Sequence, residues 1–384
     1  MKVLMFGTDV NSLISGSDTQ KRLIEYGSLV GEIHLVLLKK NSEIKDERLE
    51  ISRNVWVYPT NCPKWQRIFL AYKIGKKIIH DSEFLPAGRH GMIHDSLITA
   101  QDPFETGLVG YWLKKKFGIP LQLQIHTDFM NSYFRAESLK NRARYWLGKF
   151  LVKRADCVRV VSNRIKNSLL KIIDQGLKIN ILPIFVDVQK IKNAPIKIDL
   201  HKKYPGRFII LMASRLTKEK NISLAIEAIK KVKDRGLKIK DFLLLIVGEG
   251  PERKNIQFLI SNYQLQNDIV LESWTDDLIS YYKTADLFLL TSNYEGYGRT
   301  AVEALAVDLS VVMTDVGLAR EIVHDGENGL IVPVGDVSAL AVAIKKSINE
   351  PRELARWRSN SQKYLPKLNK EENLAMYKKI WESC

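Results

Sequence analysis

Two glutamates, Glu295 and Glu303, flank a glycine-punctuated turn in the stretch NYEGYGRTAVEAL, residues 293–305. The run DLFLLTS before the turn has the composition of a strand, and RTAVEALA after it that of a helix, so residues 295–298 read as a strand-to-helix loop. Gly296 and Gly298 let backbone N–H groups approach a ligand closely, and a helix N-terminus behind them favours negative charge. An acid beside a phosphate cradle is repulsive unless it binds something else. A carboxylate accepts two hydroxyls at once, so sugar hydroxyls suit Glu295 and ribose hydroxyls suit Glu303. Glu303 also has a local alternative, because Thr300 and Glu303 match the capping-box spacing. A nucleotide diphosphate needs cations too. The segment ASRLTKEKN supplies Arg215 and Lys220 from one loop, a bidentate fork and a point charge for a pyrophosphate leaving group.

These side chains need a frame. Candidate strands fall at residues 3–6, 33–38, 97–100, 121–126 and 157–161, then at 208–212, 242–247, 269–271, 287–290, 311–313 and 329–332. Many are continuous apolar runs, the signature of parallel strands covered on both faces. Amphipathic stretches lie between them, such as NISLAIEAIKKVKDRG, with a start signal at Asn221 and a stop signal at Gly236. The α/β series runs twice. We therefore expect two Rossmann-like, doubly wound domains facing each other across a cleft, at residues 1–186 and 207–350. Residues 187–206 read as the linker, and 351–384 as helices packing back toward the first domain. Ligands of open α/β sheets sit at the carboxyl ends of the strands, where both loops above begin.

Composition bounds the function class. The chain of 384 residues is 45% apolar, enough for sizeable cores. Its three cysteines, Cys62, Cys157 and Cys384, are far apart and show no metal-ligand spacing, which argues for a reducing compartment and against a disulfide scaffold. The opening MKVLMFGTDV is a poor signal peptide, and the longest apolar runs are strand-sized, so a cytoplasmic protein is expected. The net charge is +16, and residues 111–171 alone carry 14 Lys and Arg against three acids. Such a balance points to an anionic partner.

SRLTKEKN, IVGEGPER, YYKTADLFLLTSNYEGYGRTAVEALA and TDVGLAREIVHDGENGLIVPVGD, in that order, resemble the successive signatures of the retaining glycosyltransferases of family 4. The resemblance implies the two-domain GT-B fold and a nucleotide diphosphate sugar as donor. It implies that Arg215 and Lys220 bind the diphosphate, Glu295 the transferred sugar and Glu303 the ribose. Backbone amides of Tyr297, Gly298, Arg299 and Thr300 would meet sugar and phosphates, while Gly248, Ser273 and Trp274 would lie near the base. In the first half, SLISGSDTQKRL resembles the family's glycine loop, with Gly16 near the phosphates, and QIHTDF places His126 at a strand end facing donor and acceptor. Asp308 and Ser310 stand where the family usually has glycine and proline, so a local difference in that turn is expected.

Retention and front-face attack are implied by the resemblance; no second carboxylate is identifiable as a nucleophile. No Asp-x-Asp pair or histidine cluster calls for a metal, and no cofactor is expected. The basic, aromatic-rich stretch 131–156 suits an anionic membrane surface, which would place the enzyme at the inner membrane face with a glycan or lipid-linked acceptor. Three rival readings differ. A phosphorylase of the same fold would need a cofactor-lysine signature that is not seen. A nucleic-acid-binding protein using residues 111–171 would not explain two acids beside a phosphate loop, so no nucleic acid is expected. A non-catalytic sugar-nucleotide sensor would leave the catalytic positions without a task.

Overall fold

The computed structural model describes residues 1–39, 47–81, 84, 96–173, 176–234 and 241–384. The chain divides into two compact units. Unit 1 comprises Met1–Met130, Ser138–Pro183 and Leu368–Cys384; unit 2 comprises Asn131–Glu137 and Ile184–Lys367. Each is a mixed α/β body on one mostly parallel sheet.

The chain order in the first half is β1 (Lys2–Gly7), α1 (Asp18–Gly27), β2 (Glu32–Leu37), β3 (Leu49–Ser52), β4 (Val55–Pro59), α2 (Arg67–Asp81) and β5 (Ser96–Ala100). Next come α3 (Glu105–Phe117), β6 (Leu121–Ile125), α4 (Ser132–Glu137), α5 (Leu139–Val152), β7 (Cys157–Val160), α6 (Asn163–Leu170) and β8 (Lys178–Ile181). Their eight-stranded sheet runs β3-β4-β2-β1-β5-β6-β7-β8, parallel throughout except where β3 pairs antiparallel with β4. Strands β1, β5 and β6 are buried almost end to end; β1 reads as a nearly continuous apolar run, whereas β6 alternates its apolar residues with the buried Gln122 and Gln124.

The second half continues through α7 (Val188–Asn193), α8 (Leu200–Lys203), β9 (Phe208–Ala213), α9 (Ile222–Asp234), β10 (Phe242–Val247), α10 (Arg253–Asn262), β11 (Ile269–Glu272) and α11 (Leu278–Thr284). It closes with β12 (Leu287–Leu290), α12 (Arg299–Ala306), β13 (Val311–Thr314), β14 (Gly329–Val332), α13 (Val337–Asn349), α14 (Pro351–Asn360) and α15 (Lys370–Glu382). The unit 2 sheet is six parallel strands ordered β11-β10-β9-β12-β13-β14. Its apolar core joins the strands to α9, α13 and α14, the last through the fully buried Trp357, whose indole N–H donates to the Gly326 carbonyl at 3.1 Å. Gly236, which the sequence marks as the end of α9, lies outside the described residues.

Three departures from the sequence reading have physical causes. Residues 187–206 are not bare linker: Asp187 and Asp199 cap the short helices α7 and α8, and the segment belongs to unit 2. The helices after residue 350 divide: α14 packs into unit 2 rather than toward the first domain, while α15 belongs to unit 1 as expected, where Tyr377, Ile380 and Trp381 complete a core with Val3, Met5, Leu23 and Ile33. A capping box at Asn369 and Glu372 starts that helix. The Tyr377 hydroxyl donates to Gln124 at 2.9 Å and accepts from the buried Arg159 at 3.1 Å. Third, the cysteines are not all free. The start of β7 and the second residue after α15 meet, and Cys157 is disulfide-bonded to Cys384 across 227 positions; Cys62 is free and buried. The pairing was invisible in sequence spacing because the sheet, not the chain, brings the two together.

Candidate functional site

Strands β9 and β12 are neighbours, yet the chain leaves β9 toward β10 on one side and β12 toward β13 on the other. This is the switch point of the unit 2 sheet, where adjacent strand-to-helix loops open a crevice at the carboxyl edge. The loop after β9 carries Arg215 and Lys220; the loop after β12 carries Glu295 to Gly298. The topology therefore brings together the two sequence motifs.

The loops are stitched by backbone and hydroxyl bonds. The Thr291 hydroxyl donates to the carbonyls of Lys220 and Asn221 at 2.9 and 3.0 Å. The Asn293 amide donates to the Glu219 carbonyl at 2.7 Å, and the side chains of Asn221 and Asn293 pair at 2.9 Å. Asn221 adopts a left-handed conformation (φ 44°), the short polar residue best suited to it after glycine. So fixed, Lys220 donates to Glu295 Oε1 at 2.5 Å, and the Ser292 hydroxyl donates to the same oxygen at 2.8 Å. Both partners are largely buried, with side chains 17% and 13% exposed. A cation and a carboxylate are thus held in contact at the crevice, a pair that a ligand bearing both phosphate and hydroxyls could divide between them.

Arg215 reaches farther out. Its side chain is mostly exposed and pairs with Glu219 at 2.6 Å. Gly298 is left-handed (φ 93°) and caps α12, while Tyr297 is buried and its carbonyl accepts from the Leu318 amide at 3.0 Å. Glu303 does not form the capping box: no side chain caps α12, and Thr300 already lies inside the helix. Instead Glu303 accepts Arg299 Nε at 2.7 Å on one oxygen and the buried Tyr282 hydroxyl at 3.1 Å on the other. Burial and that carboxylate push the Tyr282 phenol well up, so it stays a donor.

Gly248 ends β10 with φ 158°; a Cβ there would lie 1.9 Å from the Ser214 carbonyl oxygen, so only glycine allows the loop after β9 to pass. Ser273 and Trp274 follow β11, two strands from β9 along the same edge, and both are exposed. Asp308 takes a left-handed turn (φ 60°) after α12, where a glycine would be relaxed.

In unit 1, Gly16 is left-handed (φ 76°) in the loop after β1 and donates its amide to Gln20 at 2.9 Å. His126 follows β6. Burial pushes its imidazole down to about 3, with the positive charges of Arg159 and Arg22 adding to this, although the side chain keeps exposed surface. The direction leaves a neutral ring at pH 7.

Sequence reasoning passed over Glu219, Ser292, Asn293, Tyr282 and Gly317. Small polar residues at a strand end carry no signal of their own until the neighbouring loop is known. Gly317 had one, the TDVG motif, yet its task is steric: with φ 52°, a Cβ would lie 2.5 Å from the Tyr297 carbonyl and 2.9 Å from Glu295 Cβ.

Residues 195–364 match the family of glycosyl transferases group 1, and residues 32–190 match glycosyltransferase family 4. The chain is 28% identical to an uncharacterized glycosyltransferase of Methanocaldococcus jannaschii, over 81% of this chain and 79% of that one. It is 32% identical to the capsular polysaccharide biosynthesis glycosyltransferase CapM of Staphylococcus aureus, over 39% of each. Among solved structures, Anabaena HepE in complex with UDP superposes with a TM-score of 0.72 at 19% identity, covering 100% of this chain and 99% of that one; the likeness is one of fold.

Proposed function

Because this chain belongs to the GT-B glycosyltransferases of group 1, we propose that it moves a sugar from a nucleotide diphosphate sugar to an acceptor hydroxyl, with retention of configuration and without a metal ion. The Lys220–Glu295 contact at the β9/β12 switch point carries this reading. A site for a diphosphate alone would not place a carboxylate against its cation.

In the reaction the bond from the anomeric carbon to the diphosphate oxygen breaks, and the acceptor oxygen bonds that carbon from the same face. The acceptor's proton passes to the departing phosphate. Lys220 and Arg215 neutralise the growing charge on that phosphate, and the first amides of α12 add to it. Glu295, freed from Lys220 as the diphosphate takes the ammonium, accepts hydroxyls of the sugar. Glu303 is aligned by Arg299 and Tyr282 and keeps lone pairs for the ribose diol. The catalysis is positioning and electrostatics, with no covalent protein intermediate.

The acceptor is a cell-surface or lipid-linked glycan intermediate met at the cytoplasmic face of a membrane. The likeness to CapM, a glycosyltransferase of capsular polysaccharide biosynthesis, supports this class. No helix among the described residues is long and apolar enough to cross a bilayer, so contact with the membrane would be peripheral.

The test is thermal melting with UDP-, GDP- and ADP-sugars in the presence of a chelator, on the wild type and on Lys220→Ala. Donor at ~100 times its dissociation constant should add roughly 2.7 kcal/mol to stability. Stabilisation by one nucleotide series, lost in the variant, supports the site. Stabilisation that needs a divalent ion overturns the metal-free mechanism, and a product with inverted anomeric proton coupling overturns retention. Binding without transfer to any glycan acceptor would instead favour a sensor.

A further inference from the structure

Right-handed crossovers from β4 to β5, β6 and β7 place α2, α3 and α5 on one face of the unit 1 sheet. Their inner sides are packed: a Cβ at Gly75 of α2 would lie 2.8 Å from Leu113 of α3 and 3.0 Å from Phe6 of β1. Their outer sides are unusual. The three helices carry eleven Lys and Arg against two acids, Asp81 and Glu105, and Glu105 is taken up by Arg144 at 2.7 Å. Aromatic rings form a band across them. Phe69 of α2 lies 6.0 Å from Trp112 of α3, and Tyr111 of α3 lies 5.6 Å from Phe150 of α5. Trp65, just before α2, is 74% exposed, and Trp146 of α5 is 62% exposed.

Arg142, Trp146, Lys149 and Phe150 of α5, with Lys153 just after it, recur at helical spacing, while Gly148 and Leu151 of the same helix are buried. Cations sit over the rings: Lys149 Nζ is 5.1 Å from the Trp146 centroid and the Arg154 guanidinium is 3.7 Å from that of Phe150. Of the basic stretch 131–156, only α5 and the turn after it belong to this face, because Asn131–Glu137 lies in unit 2 with Phe134 buried.

We propose that the outer face of α2, α3 and α5 docks on an anionic lipid bilayer. Indole and phenyl rings suit the depth of the headgroups, and lysines and arginines around them suit anionic lipid. Exposed rings of this number do not suit a merely solvated surface. The inference deepens the reading of a membrane-associated acceptor, but its test needs neither donor nor acceptor. A protein that transfers sugar and ignores vesicles would sink this proposal alone; one that binds vesicles and transfers nothing would sink the other.

The experiment is co-sedimentation of the full chain with vesicles of phosphatidylcholine, with and without one third phosphatidylglycerol. We expect binding to the anionic vesicles only. A Lys115→Glu, Lys149→Glu, Lys153→Glu variant should lower the partition coefficient on the order of a hundredfold. A Phe69→Ser, Trp146→Ser variant should lower it roughly tenfold. All five positions lie outside the buried cores, and circular dichroism checks that both variants fold. Equal binding to both vesicle types, or anionic binding that neither variant weakens, overturns the proposal. So does an absence of vesicle binding combined with a dimer, or with DNA retention, that the variants abolish.

Discussion

The hydroxyl of Tyr294 donates a 2.7 Å hydrogen bond to the carboxylate of Glu137, a residue 157 positions earlier. Phe134 of the same short helix, α4, meets the Tyr294 ring edge-on at 5.5 Å. Burial and the Glu137 carboxylate push the Tyr294 phenol well up, so the bond holds across the working pH range. Tyr294 is the residue before Glu295, and α4 packs beside the turn Lys218–Lys220. A segment numbered with the first half of the chain thus buttresses the ion pair of the second.

Tyr294→Phe removes this bond and little else. It should lower kcat roughly tenfold, the worth of a hydrogen bond to a charged group. Donor affinity should stay within a factor of about two, because the bond orients Glu295 rather than binding phosphate. Steady-state kinetics beside a donor titration separates the two; an equal loss in both would mean that the loop itself has come apart.

Gly317→Ala tests the loop from its other side. The added methyl strains a left-handed residue and collides with the Tyr297 carbonyl and Glu295 Cβ. We expect about 1–3 kcal/mol of lost stability by denaturant unfolding and a larger fractional loss of activity, since the loop must shift to make room. Activity that survives a full stability loss would show that Glu295 is not held by this contact.

The sequence made the second half far more legible than the first. Strand β10 is six buried residues in a row, and β12 and β13 are nearly as plain, so period and composition found them and the loops they carry. Strands β3, β4 and β8 were missed: β3 and β8 are half-buried edge strands whose residues alternate weakly, and β4 is a five-residue run that ends in a proline. The charges Lys220 and Glu295 were visible as residue types; their contact was not, because it depends on which strands neighbour each other. Glu303 shows the opposite failure. A correct local spacing suggested a cap, and a tertiary partner, Tyr282, drew the side chain elsewhere.

His34 gives a pH signature. Its ring is buried between Trp56 at 4.8 Å and Tyr58 at 5.8 Å, and burial lowers its pKa despite the opposing influence of Glu32. A folded-state value below the ordinary 6.5 means that the unfolded chain binds the proton more readily. Its contribution is therefore complete above about pH 6.5 and is lost as pH falls toward the folded value. Melting temperatures taken at about pH 7.5 and about pH 5.5 should drop less for His34→Gln than for the wild type. Parallel drops would assign the acid sensitivity to another group.

The Cys157–Cys384 bond closes a 227-residue span. Its removal in Cys384→Ser should cost ~2–4 kcal/mol, chiefly by enlarging the unfolded ensemble. A phosphine reductant should lower the melting temperature of the wild type to that of the variant and leave the variant unchanged. An unmoved wild type, with no linked peptide in a non-reducing digest, would mean that the bond does not form in solution.

Helix α15 has one more consequence, for the order in which the protein can be made. Unit 1 begins with Met1, but its core lacks Tyr377, Ile380 and Trp381 until the whole of Ile184–Lys367 has been synthesised. At ~5–20 residues per second that interval is roughly 10–40 s. Throughout it, the seat later filled by Trp381 stands open on a nascent chain while unit 2 is being completed ahead of it. The unit that starts first finishes last, so conditions that stall the ribosome late in the message expose an apolar groove that no mutation created.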